Sequence, residues 1–300
     1  MAIRNDHSEG FFIAILAAIT YGLFPVFSHY FVITIDPLLF GGITMLIGSL
    51  PLLLYLGVKN EMREIYRKKY LFYLLGVAVF SGIGMSFFFT GASLTSGINT
   101  SLLLQLEPIY SLILSSIFLN EIIGRGQLIG TLLMVLGAGV VVFKGVSGIN
   151  LGDIFILIAL LFFQTSHLFA KKVLPKLKNT NIVPAARLFY GGLLVTSIAL
   201  GIHHSAYKEL FSSKNDTSML LFGFYTFLDM FLAYQALRRL ALAKVTAIMP
   251  FSVIVAFSAS ILFLKEVPIL QQYIGVILIL GGLIFLSVVH FKEKGEKNVL

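Results

Sequence analysis

The chain has 300 residues, 58% hydrophobic and 12% charged, with a mean hydropathy of +0.94. That excludes an ordinary soluble domain, in which about half of the residues are apolar and about a quarter charged. A spanning helix needs about 20 apolar residues, so the chain can supply about ten spans and leaves no room for a soluble domain.

The absence of Cys excludes disulfides, thiol nucleophiles and thiolate metal sites, and with no Trp any interfacial aromatic belt rests on Tyr and Phe. The first apolar run is of full span length and lacks a small-residue cleavage site, which reads as a retained helix and not a leader.

Cutting the chain at charge clusters and at Gly, Pro, Asn and Asp turns predicts ten spans. The first five are Gly10–Tyr30, Pro37–Leu56, Tyr70–Gly91, Ile98–Phe118 and Gln127–Phe143. The second five are Leu151–Ala170, Ile182–Ile202, Ser218–Leu237, Val245–Leu264 and Leu270–Val289. With the N-terminus inside, 17 Lys and Arg fall on the inner side and 4 on the outer. This bias predicts that both termini are cytoplasmic, in a cell membrane. It also accounts for the formal charge of +8, because the cations recur at every second loop. A nucleic-acid face would gather them in one cluster, so no nucleic-acid partner is expected.

The sequence repeats itself. At an offset of 145, nine of 23 positions from Ser115 to Gly137 are identical, among them Glu121/Glu266, Gln127/Gln272, Gly130/Gly275 and Gly137/Gly282. The first and sixth spans align more weakly at an offset of 142. Residues 1–150 and 151–300 then form two five-span repeats, and five being odd, the second enters the membrane from the opposite side. The predicted fold is all-α and integral to the membrane, with ten helices in two inverted repeats. Such repeats place a site near mid-membrane.

The run L-x-x-E-P from Leu104 to Pro108, followed by F-L-x-E at Phe118 to Glu121, Gln127, Gly130 and Gly137, resembles the signature of the drug/metabolite transporter superfamily, EamA-type, ten-span branch. The resemblance covers both copies. It implies an exporter or exchanger of small metabolites. The second copy departs from the first in having Val253 at the position of Pro108, with Pro250 three residues earlier.

The candidate site residues follow from depth. Of fourteen acidic residues, twelve lie in loops, tails or span edges, and only Glu107 and Asp229 lie near the middle of a span. An ionised carboxylate there is costly unless it is protonated, paired or facing water. The repeat pairs them with Ser252 and roughly Met85, so they are not part of the shared scaffold. They are candidates for binding a proton or a substrate amine, the alternative being hydrogen-bond partners of Arg187 or Gln235. Arg187, near the inner end of the seventh span, either snorkels to the interface or pairs with substrate or a carboxylate. His167 is either an interhelical hydrogen-bonding residue or a proton relay. Tyr21 lies close to Pro25, whose broken backbone bonding is tolerated only beside protein or a water-filled cavity.

The third span, rich in small and aromatic residues, offers a face through Ser81, Met85, Phe88 and Ala92 that either lines a cavity or packs. Tyr225 completes the candidates. Glu121 and Glu266, each just before a helix, are read as structural partners of a helix N-terminus, as are Pro108, Pro250 and the matched glycines as scaffold.

An enzyme is not expected. Ser93 and His167 fall at opposite membrane edges, and no H-E-x-x-H motif, phosphate loop or acidic metal cluster is present. No cofactor is called for. The expected function is secondary transport of a small organic metabolite, such as an amino acid or amphipathic compound, by alternating access around a midplane cavity. A passive facilitator or pore is the alternative and an intramembrane enzyme a remote one. The partners are the lipid bilayer and a small-molecule substrate; proton coupling, direction and oligomeric state stay open.

Overall fold

The computed structural model describes residues 2–119, 124–143, 149–202, 213–240, 244–245 and 248–297. Its long elements are all helices: α1 (Ala2–Val32), α2 (Pro37–Val58), α3 (Lys68–Leu94), α4 (Gly97–Leu104), α5 (Glu107–Leu119) and α6 (Arg125–Val142). They continue with α7 (Leu151–Val173), α8 (Ile182–Ile202), α9 (Ser213–Arg239), α10 (Phe251–Leu264) and α11 (Leu270–Lys297). Among the described residues, nine helical stretches are long and apolar enough to cross a membrane, and they match nine of the ten predicted spans. The protein is therefore a multi-pass membrane protein.

The remaining span, expected over Val245–Leu264, holds a described helix of only 14 residues, Phe251–Leu264. At 1.5 Å per residue this is about 21 Å, short of a hydrocarbon core of about 30 Å. Pro250 is its N-cap, where a residue without an N–H and with fixed φ starts a helix more readily than it continues one. Pro108 has a related effect in the fourth span, which is not one helix but two. α4 stops at Leu104, Gln105 and Leu106 form a turn, and α5 starts at Glu107. Pro108 cannot donate to the carbonyl four residues back, at Leu104, so the helical ladder is cut at that point.

The chain forms two compact units. One comprises residues 1–26, 95–153 and 229–300, the other 27–94 and 154–228. Each unit thus draws helices from both halves of the sequence.

In the first unit α6 packs along α11. A Cβ on Gly130 would lie 3.0 Å from the carbonyl oxygen of Gly282, and one on Gly282 would lie 2.6 Å from that of Gly130. One turn pair further along, a Cβ on Gly137 would lie 3.0 Å from the carbonyl of Gly275, and one on Gly275 3.3 Å from that of Gly137. Where one residue number rises the other falls, so the helices run antiparallel, with backbones close enough that only glycine fits. Lipid gives helices no hydrophobic drive to associate, and close backbone approach of this kind replaces it.

In the second unit α2 packs on α8, with Gly42 against Thr196 and Gly192 against Leu46, and α8 also packs on α3. The core of this unit is aromatic: Phe31, Phe40, Phe89 and Phe222 have ring centroids 5.0 to 6.3 Å apart. That range is the one in which offset and edge-to-face pairs attract.

Candidate functional site

Three of the predicted site residues meet in the first unit. α1 carries Tyr21, whose phenol hydrogen-bonds the Glu107 carboxyl at the start of α5 and feels the charge of Asp229 on α9. Thr20, on the same turn of α1, hydrogen-bonds Asp229 and also donates to the carbonyl of Ala17 at 3.1 Å. Tyr21, Glu107 and Asp229 are each half-buried, so all three reach accessible space deep within their spans. Asp229 Oδ1 is itself buried and has no hydrogen-bond partner. A buried acceptor left empty costs about 1–3 kcal/mol, which marks this atom as one that a proton or a donor would stabilise.

The backbone near this cluster is opened by proline. Pro25 lies inside α1 and cannot donate to the carbonyl of Tyr21, four residues before it. The break between α4 and α5 lies directly before Glu107. Gln105 in that break is 5% exposed; its Oε1 accepts from Ser252 Oγ at 3.1 Å, and its Nε2 is buried without a partner. The Ser252 carbonyl oxygen in turn lies 2.5 Å from where a Cβ on Gly22 would be, so α10 comes against α1 at a residue next to Tyr21.

The other four candidates lie in the second unit. Arg187 Nη2 donates to Ser166 Oγ at 3.1 Å, and Ser166 Oγ in turn donates to the carbonyl of Val77 at 2.8 Å. Arg187 is thus held on α7 by a fully buried serine. His167, next to that serine and within the field of Arg187, is exposed. Tyr225 is half-buried, 5.6 Å from the Phe222 ring and 5.8 Å edge-on to Phe27. Phe88 is fully buried between Phe89 and Phe163. With Ser81, Met85 and Ala92 at 8% exposure or less, the face of the third span that carries it is packed and lines no open space here. Gln235, named above as a possible partner of the deep acids, is engaged by Arg239.

The scaffold residues behave less uniformly. Glu121 lies outside the described residues. Glu266 serves a helix N-terminus as expected, but of α4 and not of the helix that follows it. Its Oε1 accepts from the Gly97 N–H at 2.7 Å and its Oε2 from the Ile98 N–H at 2.8 Å. Ser96 adds an N-cap bond to the Asn99 N–H at 3.1 Å. The first-turn donors that a helix leaves unpaired are thereby satisfied. Lys265, which ends α10 at φ 55° in the left-handed region, turns the chain so that Glu266 reaches across. Sequence spacing places Glu266 next to its own helix; only the tertiary fold brings α4 to it.

Asp153 was counted above among the edge acids. It is in fact 0% exposed. Its Oδ1 accepts from Thr95 Oγ1 at 2.5 Å, and Asn99 Nδ2 donates to both carboxylate oxygens at 3.1 and 3.2 Å. Asn99 Oδ1 accepts from Gln272 Nε2 at 2.7 Å, which links α4, α7 and α11. The signal available in sequence was the L-G-D start of an apolar run, where an acid in the first turn suits the helix dipole. Nothing in it announces burial. Among the described residues no group of three or more His, Asp or Glu could hold a metal ion.

Among the described residues, nine apolar helical stretches of span length, one of them interrupted at Gln105 and Leu106, make this a polytopic membrane protein. The chain belongs to the EamA-like transporter family, whose model matches it twice, over residues 8–143 and 150–288. It is 24% identical over 299 residues to an uncharacterized transporter of Methanothermobacter thermautotrophicus, covering 92% of this chain and 85% of that one. An uncharacterized transporter of Synechocystis sp. is 24% identical over 250 residues, covering 80% of this chain and 71% of the other. In fold it is similar to a protein of known crystal structure at a TM-score of 0.66 and 13% identity, over 94% of this chain and 98% of that one.

Proposed function

We propose that this transporter is a secondary carrier that moves a small organic metabolite, such as an amino acid or an amphipathic compound, by alternating access. Glu107 and Asp229 bind a proton or the substrate's amine, with Tyr21 and Thr20 orienting them. The observation that carries the reading is the meeting of Tyr21, Glu107 and Asp229 deep in their spans, half-buried, with Asp229 Oδ1 lacking a partner. Intramembrane carboxyls in such a setting mark substrate and proton pathways. The double match of the family model supports two five-span repeats, and the reciprocal glycine contacts between α6 and α11 suit their inversion. By the Lys and Arg bias the termini are cytoplasmic. Export or exchange is the direction that the family resemblance favours, and nothing in the site calls for chemical conversion of the solute.

The test is flux in proteoliposomes, screening a metabolite library with and without an imposed proton gradient. Glu107→Gln and Asp229→Asn are expected to abolish transport or uncouple it from the gradient while the protein stays folded. Wild-type rates with unchanged pH dependence in both variants would remove these carboxyls from the mechanism. Flux insensitive to any ion gradient in the wild type would favour a passive facilitator instead.

A further inference from the structure

Within the second unit α3 and α7 lie against each other. Phe163 packs on Gly84, Phe169 packs on Gly76, and Ser166 donates to the carbonyl of Val77. Residue numbers rise on one helix as they fall on the other, so the C-terminal end of α7 meets the N-terminal end of α3. Both ends are basic. Residues 59–69 and 171–178 hold nine Lys and Arg against two acids, Glu61 and Glu64. Both acids are engaged: Glu64 accepts from Arg67 at 2.9 Å and Glu61 from Asn179 at 2.5 Å.

Two tyrosines organise the cations. Tyr70 and Tyr73 are three residues apart on α3 and so are neighbours on one face. Lys69 Nζ lies 5.4 Å from the centre of the Tyr70 ring, with the Arg67 guanidinium 5.7 Å from the same ring. Lys176, in the short turn Leu174–Lys176 that follows α7, places its Nζ 4.6 Å from the centre of the Tyr73 ring. The ring quadrupole holds a cation in such a position but does not neutralise it. Among the described residues neither Lys69 nor Lys176 has a carboxylate partner. Lys68 and Lys69 also stand in the first turn of α3, where the helix dipole disfavours a cation. Like charges are thus gathered from two elements, an arrangement that an anion between them relieves.

Beyond this basic end, α3 presents an apolar stripe through Phe72, Leu75 and Val79, which are 72%, 40% and 40% exposed. Their spacing puts them on one face of the helix. Charge at the end of the span and exposed hydrocarbon below it follow the order of a phospholipid, headgroup first and chain after.

We propose that the adjoining ends of α3 and α7 bind an anionic phospholipid, its phosphate between Lys69 and Lys176 and an acyl chain along Phe72, Leu75 and Val79. The Lys and Arg bias points this end to the cytoplasm, the side on which anionic lipids attract basic segments. The site is separate from Glu107 and Asp229 and does not depend on the transporter reading.

The full chain, purified in detergent, is titrated with phosphatidylglycerol or with phosphatidylcholine of the same chain length, and bound lipid is counted by native mass spectrometry. Phosphatidylglycerol is expected to bind about thirtyfold more tightly, the worth of two lysines at a lipid surface. Lys69→Gln with Lys176→Gln is expected to abolish that preference. Lys59→Gln with Arg63→Gln removes the same charge from the loop after α2 and, screened by salt, should change it by about twofold at most. Tyr73→Leu keeps every charge but takes the ring from under Lys176, and is expected to weaken phosphatidylglycerol binding about threefold, whereas Tyr73→Phe keeps the wild-type affinity.

Equal losses in the two charge-removing pairs would show a diffuse basic surface and overturn the site, as would a wild type that binds both lipids alike. Displacement of phosphatidylglycerol by glycerol 3-phosphate at equal concentration would make the occupant a soluble phosphate and overturn the lipid assignment. Lys69 and Lys176 are exposed, so their variants are expected to fold, which thermal unfolding checks. Should the pair not fold, the two Tyr73 variants decide at full charge, and equal affinity in both overturns the proposal.

Discussion

Ser252 donates its hydroxyl to the amide oxygen of Gln105 at 3.1 Å, and this bond ties the interruption of the fourth span to the proline-capped start of α10. The two segments are related by the sequence repeat, yet their interruptions have different causes, Pro108 after the turn in one and Pro250 at the turn in the other. Ser252→Ala leaves a second end of the buried Gln105 amide without a partner and is expected to cost about 1–3 kcal/mol. Adding Gln105→Leu to that variant is expected to recover most of the loss, because removing both partners of a buried bond is nearly neutral. Thermal unfolding of the two single variants and the double variant in one detergent gives the coupling.

Glu266 is expected to matter for stability and not for solute recognition. Its two charge-assisted bonds to the first turn of α4 use both oxygens, and a carboxamide turns an N–H toward one of those donors. Glu266→Gln should therefore lower stability by about 1.5–3 kcal/mol. Where the variant is folded, its half-saturating solute concentration should match the wild type, measured in the flux assay described above.

Two adjacent glycines make a sharper comparison. A Cβ on Gly282 would sit 2.6 Å from the Gly130 carbonyl, whereas a Cβ on Gly281 would meet nothing within 4 Å. Gly282→Ala must push backbone against backbone and is expected to cost about 1–3 kcal/mol. Gly281→Ala, one residue away on the same helix, is expected to be neutral or to gain up to about 1 kcal/mol from helix propensity. Unfolding temperatures that fall equally in both variants would contradict the packing of α6 on α11.

Membrane orientation can be read with single cysteines. Arg63→Cys, in the loop after α2, should be protected from an impermeant thiol reagent in intact cells, and Asn215→Cys should react. Arg63 is preferable to Asn60, whose φ of 56° lies in the left-handed region that a cysteine adopts poorly. The opposite labelling pattern would reverse the orientation inferred from the positive charges.

The spans were legible because hydropathy and helix length are local properties: Ile182–Ile202 has the same bounds in sequence and structure. The deep acids were legible because depth follows from position along a span, and Tyr21, Glu107 and Asp229 do come together. What sequence could not give is which helix lies across from a side chain. Glu266 is legible as serving a helix end but not as serving that of α4, and Asp153 reads as a span-edge acid because its burial depends on Thr95 and Asn99 from elsewhere in the chain. Phe88 illustrates the converse. Small and aromatic residues on one face suit a cavity wall and a packed seam equally well, and only the positions of Phe89 and Phe163 decide for packing.

That each compact unit is assembled from both halves of the chain sets the order of biogenesis. When the first 150 residues have been inserted, α2 still lacks α8 and α6 still lacks α11, the partners they pack on most extensively. Their glycine seams must wait in lipid for helices not yet synthesised. Closure of the first unit comes last, after residue 270, when α6 meets α11.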